Sequence, residues 1–255
     1  MHPDVLRRMR RRFVRMAEEY ALRLGERREH IVLKRDHSLR VHALAAKIVA
    51  REDIAPAAPY LAAALVHDIG RFSQFERFGT YRDDESVDHG EEGAGFLRGS
   101  DFLEAFDRQV RDCIVEAVRL HNKREIPSGL DPLTRSLCVV VRDADKLDIV
   151  PVVLSRLGVA GPKDGVVTLG LADEPEAWTE LVVDAVSGGE SPAYGDLRYL
   201  NDFKLLLASW GPSLVHGASR RIFAARGYLD SLFATLPQTD RFFGLKTRLA
   251  GDLRR

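Results

Sequence analysis

Cysteine is scarce in this chain: two occur in 255 residues. Cys113 and Cys138 lie in apolar stretches and have no CxxC spacing. That argues against a disulfide framework or a cysteine zinc clip, and both thiols read as core residues in a reducing compartment. A dominant charge is also missing. Lys plus Arg and Asp plus Glu number 38 each, which speaks against a dedicated nucleic-acid or membrane-surface binder, since such affinity leans on a basic excess. No apolar run reaches the roughly 20 residues of a membrane helix, and no signal-type apolar segment opens the sequence. The expected setting is the cytoplasm, without a membrane partner. Internal repeats, low-complexity tracts and a convincing linker are absent too, so residues 1–255 read as one domain.

What is present is helical periodicity. A first helix is expected from about Asp4 to Leu24, stopping at Gly25. In it Arg7, Arg8, Arg10, Arg11, Arg12 and Arg15 are interleaved with Leu6, Met9, Phe13 and Met16, giving a basic solvent face over an apolar one. Targeting and nucleic-acid contact are alternative readings of that face. Asp36 is the expected N-cap of a second helix, and Pro56 and Pro59 open a third that ends at His67-Asp68. Residues 71–87 show no clear period and read as a long functional loop. Its Arg71, Gln74, Arg77, Tyr81 and Arg82 supply donors, while Phe72, Phe75 and Phe78 read as lid anchors, with base-stacking platforms the alternative. Further helices are expected from about Asp88, from Phe102 to His121, and from Asp131-Pro132 through Leu157. GVVTLGL could form a short strand pair. Residues 175–187 and 199–250 look helical, with breaks at Gly211-Pro212 and Pro237.

The chemistry concentrates at His67-Asp68 in ALVHDIGRF, directly after the apolar run LAAALV. Buried side by side, an imidazole and a carboxylate both need partners away from water. A divalent cation is a partner that suits both. His37 lies upstream at the head of HSLRVHALAAKIVA, and Asp145 lies downstream in DADKLD. The order H…HD…D, with DADKLD similar to an A-D-(R/K)-L signature, resembles the HD superfamily of metal-dependent phosphohydrolases over about residues 30–150. The resemblance implies an all-α fold: an HD-domain helical bundle with additional C-terminal helices. Its metal-binding core would be about residues 30–150, with a helical extension from about 151 to 255 packed onto it.

His89 in DHGEEGAGFL and His121 closing IVEAVRLH resemble the extra ligands of two-metal relatives, among them the HD-GYP phosphodiesterases and myo-inositol oxygenase. The implied ligand set is His37, His67, Asp68, His89, His121 and Asp145, with Asp68 bridging two ions roughly 3.5–4 Å apart. Other readings stay open: His89 as an exposed helix-start residue, and His121 as a histidine favoured by a helix C-terminus. Asp143 is an alternative to Asp145, and Asp148 could orient a ligand histidine instead. His2, His30, His42 and His216 read as packing or surface. Departures narrow the family reading. Asn122-Lys123 follows His121 and no GYP segment is present, so cyclic di-GMP is not the expected substrate. Leu33 stands where three-metal relatives have glutamate, so a third ion is not expected. Arg71 replaces the lysine of the oxygenase branch and suits phosphate.

The expected activity is hydrolysis of a phosphate ester, of a nucleotide or another small phosphorylated metabolite, by metal-activated water. Asp68 would bridge the ions and help take the proton, while Arg71 and Lys146, with Lys123 third, would neutralise phosphate charge. The implied cofactors are two divalent ions, Fe or Mn first, then Ni, Co, Zn or Mg, because a mixed imidazole–carboxylate set disfavours the all-oxygen preference of Mg. Two rivals use the same residues: a diiron oxygenase, and a non-catalytic metal-stabilised nucleotide sensor.

Overall fold

The computed structural model describes residues 4–157 and 168–254. It is helical throughout: α1 Asp4–Leu24, α2 Arg28–Arg51, α3 Ala58–Val66, α4 Gly70–Phe78, α5 His89–Arg98, α6 Arg108–Leu120, α7 Pro132–Leu157, α8 Glu180–Gly188, α9 Leu200–Ser213, α10 Gly217–Ala225, α11 Tyr228–Phe233 and α12 Asp240–Asp252. Among the described residues there is no strand, and a single isolated bridge joins Ala172 to Tyr199. Of the expected strand pair GVVTLGL, residues 165–167 lie outside the described residues, and Thr168, Leu169 and Gly170 form a turn, not a strand. No described helix is long and apolar enough to cross a membrane. The chain divides into two compact units, Met1–Asp148 and Ile149–Arg255, and the boundary falls inside α7.

In the first unit, α1 buries Val5, Met9, Phe13 and Ala17, one residue per turn on its inner face. Gly25 ends α1 with φ of +57°, a conformation that suits glycine. The second helix then starts at Arg28, not at Asp36. No glycine or proline interrupts REHIVLKRD, and fully buried Ile31 extends the inward face of α2 by two turns. Asp36 therefore sits mid-helix, accepting from Arg35 Nε at 2.8 Å. Residues 70–78 are likewise helix and not loop. Phe72 and Phe75 are fully buried and stack near Phe13, Tyr20 and His30, with ring centroids 4.5–5.7 Å apart. These rings belong to the core, and only Phe78 is exposed. The segment expected to begin a helix at Phe102 starts it at Arg108, where the Asp107 side chain accepts from Val110 N–H at 2.9 Å.

Two glycine positions bring α4, α5 and α6 close together. A Cβ on Gly70 would stand 2.3 Å from the His89 carbonyl oxygen and 2.6 Å from Gly93 N, and one on Gly90 would stand 2.8 Å from the Arg119 carbonyl. Gly70 is thus required for backbone-to-backbone approach rather than for a sharp turn. Gly70→Ala is expected to destabilise the protein by about 3 kcal/mol, the upper range for overpacking. Chemical denaturation reads this directly, and an unchanged midpoint would remove the close-approach role.

In the second unit α9 is buried along residues 200–211, with α8, α10, α11 and α12 against it. Asp202, fully buried, accepts from Thr179 N and Oγ1, both at 2.7 Å, and from the Arg198 and Tyr199 amides at 2.9 and 3.0 Å. Four donors on one carboxylate satisfy the start of α9 and pin residue 179 beside it.

Candidate metal centre

Helix ends and mid-helix positions of the first unit deliver the predicted residues to one buried place. His37 comes from the middle of α2, and His67-Asp68 follow α3 at its C-terminus. His89 opens α5, His121 follows α6, and Asp145 lies within α7. The four imidazoles and Asp68 are all 5 % exposed or less.

Asp68 stands between two groups. Its Oδ2 faces His37 Nε2 at 3.7 Å and His67 Nε2 at 3.8 Å. Its Oδ1 faces His89 Nε2 at 3.4 Å and His121 Nε2 at 3.6 Å. Asp145 Oδ1 completes the first group, 3.0 Å from His37 Nε2 and 3.7 Å from His67 Nε2. In the second group the His89 and His121 Nε2 atoms lie 3.0 Å apart.

All four rings are oriented alike. His67 Nδ1 lies 2.9 Å from the Ala64 carbonyl and His121 Nδ1 2.6 Å from the Val118 carbonyl. His37 Nδ1 lies 2.8 Å from Asp148 Oδ2, and His89 Nδ1 2.7 Å from Asp83 Oδ2. Carbonyls and carboxylates only accept, so each Nδ1 carries the proton and each Nε2 offers a lone pair to the centre. His37 Nε2 and His67 Nε2 are buried without a hydrogen-bond partner. Lone pairs aimed at one another without a proton between them fit divalent cations, and the residues present therefore suit the donor set of such ions. Among the described residues three groups of donor atoms are close enough to hold an ion: His37, His67 and Asp68; Asp68, His89 and His121; and Asp83, Asp88 and His89. The third is already spoken for, because Asp83 accepts from Arg71, Gln74 and His89, and Asp88 from Gly90 N–H, Asn122 and Lys123.

The electrostatics follow from burial and neighbours. Burial alone would raise Asp68, but Lys34, His67, His121 and Arg71 hold it well below the ordinary carboxylate value. Asp145 is lowered likewise, by His37 and His67 against burial. Burial and Arg71 push His89 down to about 3. For His37 burial disfavours the charge, but the neighbouring carboxylates of Asp145 and Asp148 outweigh it and raise its pKa.

Arg71 has two faces. Its Nη1 donates to Gln74 Oε1 at 2.8 Å, to the Tyr81 carbonyl and to Asp83 Oδ1 at 2.9 Å, which holds residues 79–88 in place. Its Nε is buried without a hydrogen-bond partner, 3.5 Å from Asp68 Oδ1. Lys146 follows Asp145 on α7, its amine pushed down to about 8 by burial and by Arg142. Lys123 is paired with Asp88 and lies 3.8 Å from Glu91. Asp148 does orient His37, and Arg40 clamps its two oxygens at 2.8 and 3.0 Å. His42 donates or accepts nothing at the centre; its Nδ1 lies 2.8 Å from the Leu61 carbonyl.

Two residues escaped the sequence reading. Lys34 Nζ lies 2.9 Å from Asp68 Oδ2 and 5.2 Å from the Tyr81 ring centre. It stands one turn before His37, a position visible only once α2 is known to start at Arg28. Asp83 orients His89, supported by Gln74 and by Asn122 Nδ2 at 3.0 Å. Nothing in YRDDESVD singles out Asp83 from its acidic neighbours.

The first unit thus gathers four imidazoles and the Asp145 carboxylate around one buried carboxylate, Asp68, the arrangement of a candidate metal-binding domain. Residues 35–149, which hold all six, match the HD domain family. These residues form an HD domain, the unit of a superfamily of metal-dependent phosphohydrolases. Comparison with curated proteins and with solved structures gives no match.

Proposed function

We propose that this chain hydrolyses the phosphate ester of a nucleotide or another small phosphorylated metabolite. Two divalent ions would be held by His37, His67, Asp145 and Asp68 on one side and by His89, His121 and Asp68 on the other. The observation that carries the reading is the split at Asp68: each carboxylate oxygen faces a different pair of Nε2 atoms. Bound there, such ions would supply Lewis acidity and bring the pKa of water near neutrality.

Charge supports a phosphate in particular. Around the centre Asp68, Asp83 and Asp145 oppose Lys34 and Arg71, a formal sum of −1. Two divalent ions would turn −1 into +3. A phosphate dianion relieves that excess, whereas a neutral polyol, as an oxygenase substrate, does not. In this reading Asp68 stays a carboxylate and, through its remaining lone pairs, accepts a hydrogen bond from the attacking water and orients it. Arg71 presents its Nε, which lacks a hydrogen-bond acceptor, to a phosphate oxygen, and Lys146 adds a second cation.

The test is metal content followed by turnover. Protein reconstituted anaerobically with Mn²⁺ or Fe²⁺ is expected to retain close to two ions per chain by elemental analysis and to release phosphate from members of a phosphoester panel. One ion or fewer would remove the binuclear arrangement and with it the roles of His89 and His121. Substrate-dependent O₂ uptake would select the oxygenase instead, and tight nucleotide binding without turnover the sensor.

A further inference from the structure

Net neutrality of the chain conceals a local excess on α1. Between Asp4 and Met16 the only charged residues are Asp4 and six arginines, a formal +5. Arg7, Arg8, Arg10, Arg11, Arg12 and Arg15 are all exposed. Two of them have carboxylate partners: Arg12 pairs with Asp101 and lies over the Phe102 ring, and Arg7 lies 3.5 Å from Asp4. Among the described residues Arg8, Arg10, Arg11 and Arg15 make no ion pair. Acidic residues of α1 resume only past this stretch, at Glu18 and Glu19.

We propose that the outer face of α1 is a docking surface for the phosphate backbone of a nucleic acid. Charge complementarity is the first argument. The stretch is all arginine, and a planar guanidinium grips phosphate oxygens in pairs, which a merely solvated face would not require. Spacing is the second. Arg8, Arg11 and Arg15 follow at i, i+3 and i+7 on one side of the helix, covering about 10 Å of axis, the rise of three phosphates of one strand at about 3.4 Å each. A bilayer is a poorer match. Membrane-surface helices bury an apolar face in lipid, but here that face is spent inside the protein, with Met9 5 %, Phe13 0 % and Ala17 1 % exposed. The one large exposed apolar side chain of α1, Leu22, lies beyond the arginines. The one aromatic within the arginine stretch, Phe13, is fully buried, so the stretch itself offers no ring for base stacking and contact is with the backbone, independent of sequence.

The experiment measures binding of the full-length, metal-replete protein to a fluorescent 20-nucleotide single strand and to a 20-base-pair duplex, across a salt series. Wild type is compared with the Arg8→Gln, Arg11→Gln, Arg15→Gln triple variant. Glutamine keeps helix propensity close to that of arginine, and an unchanged melting temperature and metal content confirm an intact fold and centre. The triple variant is expected to bind about tenfold more weakly, and its log K against log salt slope for the single strand to flatten by about 2, from about 0.7 per phosphate contact. Equal affinity of the two proteins, no binding by wild type, or tighter binding to phosphatidylserine vesicles than to either oligonucleotide would overturn the proposal.

Discussion

Asp68→Ala is expected to abolish turnover and to release both ions. The carboxylate stands between the two groups of Nε2 atoms, so its loss removes a donor from each at once. It also leaves Lys34 Nζ, now 2.9 Å from Oδ2, and Arg71 Nε, 3.5 Å from Oδ1, facing an empty space with like charge. Removing one partner of a buried pair costs about 3–5 kcal/mol, so the alanine variant is also expected to melt earlier. Asp68→Asn separates the two effects, because it keeps the shape of the side chain but removes its charge. Its metal content is expected to fall well below one ion per chain while the helical signal persists. His121→Ala, by contrast, touches only the Oδ1 group and is expected to lose mainly one ion. Elemental analysis after equal reconstitution compares the three. Full metal and wild-type rate in Asp68→Asn would show that the HD pair is not the centre of the site.

Much of this centre is legible in the sequence because its residues punctuate helices. His67-Asp68 interrupts an apolar run and His121 ends one, so each stands out against its periodicity. His89 follows a recognisable cap, and the Asp88 side chain accepts from Gly90 and Glu91 amides at 2.9 and 3.2 Å. Asp148 is foreseeable as the partner of His37, since it lies one turn beyond Asp145 on the same helix. What stays hidden depends on helix bounds or on long-range contact. GRFSQFERF places Phe72, Phe75 and Phe78 at steps of three, a helical spacing that its charged residues mask. Reading it as a loop turned two core aromatics into lid anchors. An N-cap placed at Asp36 removed the turn of α2 that carries Lys34. The glycines of HDIG and HGEEG invite a reading as turn residues, whereas what they serve is the close approach of α5 to α4 and to the end of α6. Asp83 gains its role only through Arg71, Gln74, His89 and Asn122, which converge on it from three other segments.

Arg71→Ala is expected to lower kcat/KM for a phosphoester by roughly 30- to 1000-fold, the equivalent of about 2–4 kcal/mol for losing a partly desolvated, charge-assisted contact. The Nε that remains without an acceptor, buried beside Asp68, is the atom that carries this expectation. The same side chain secures residues 79–88 through Nη1, and Asp83 in that segment holds the His89 tautomer. Loss of Arg71 therefore threatens two functions, and two comparisons pull them apart. Asp83→Asn keeps Arg71 but weakens the hold on His89, so it is expected to reduce metal affinity more than the efficiency of metal-replete protein. Arg71→Lys restores a positive charge without the planar fork, so it is expected to recover only part of the lost efficiency. Steady-state kinetics under saturating metal decide the matter. Wild-type kcat/KM in metal-replete Arg71→Ala would remove the phosphate contact and leave Arg71 as a brace for the segment that orients His89.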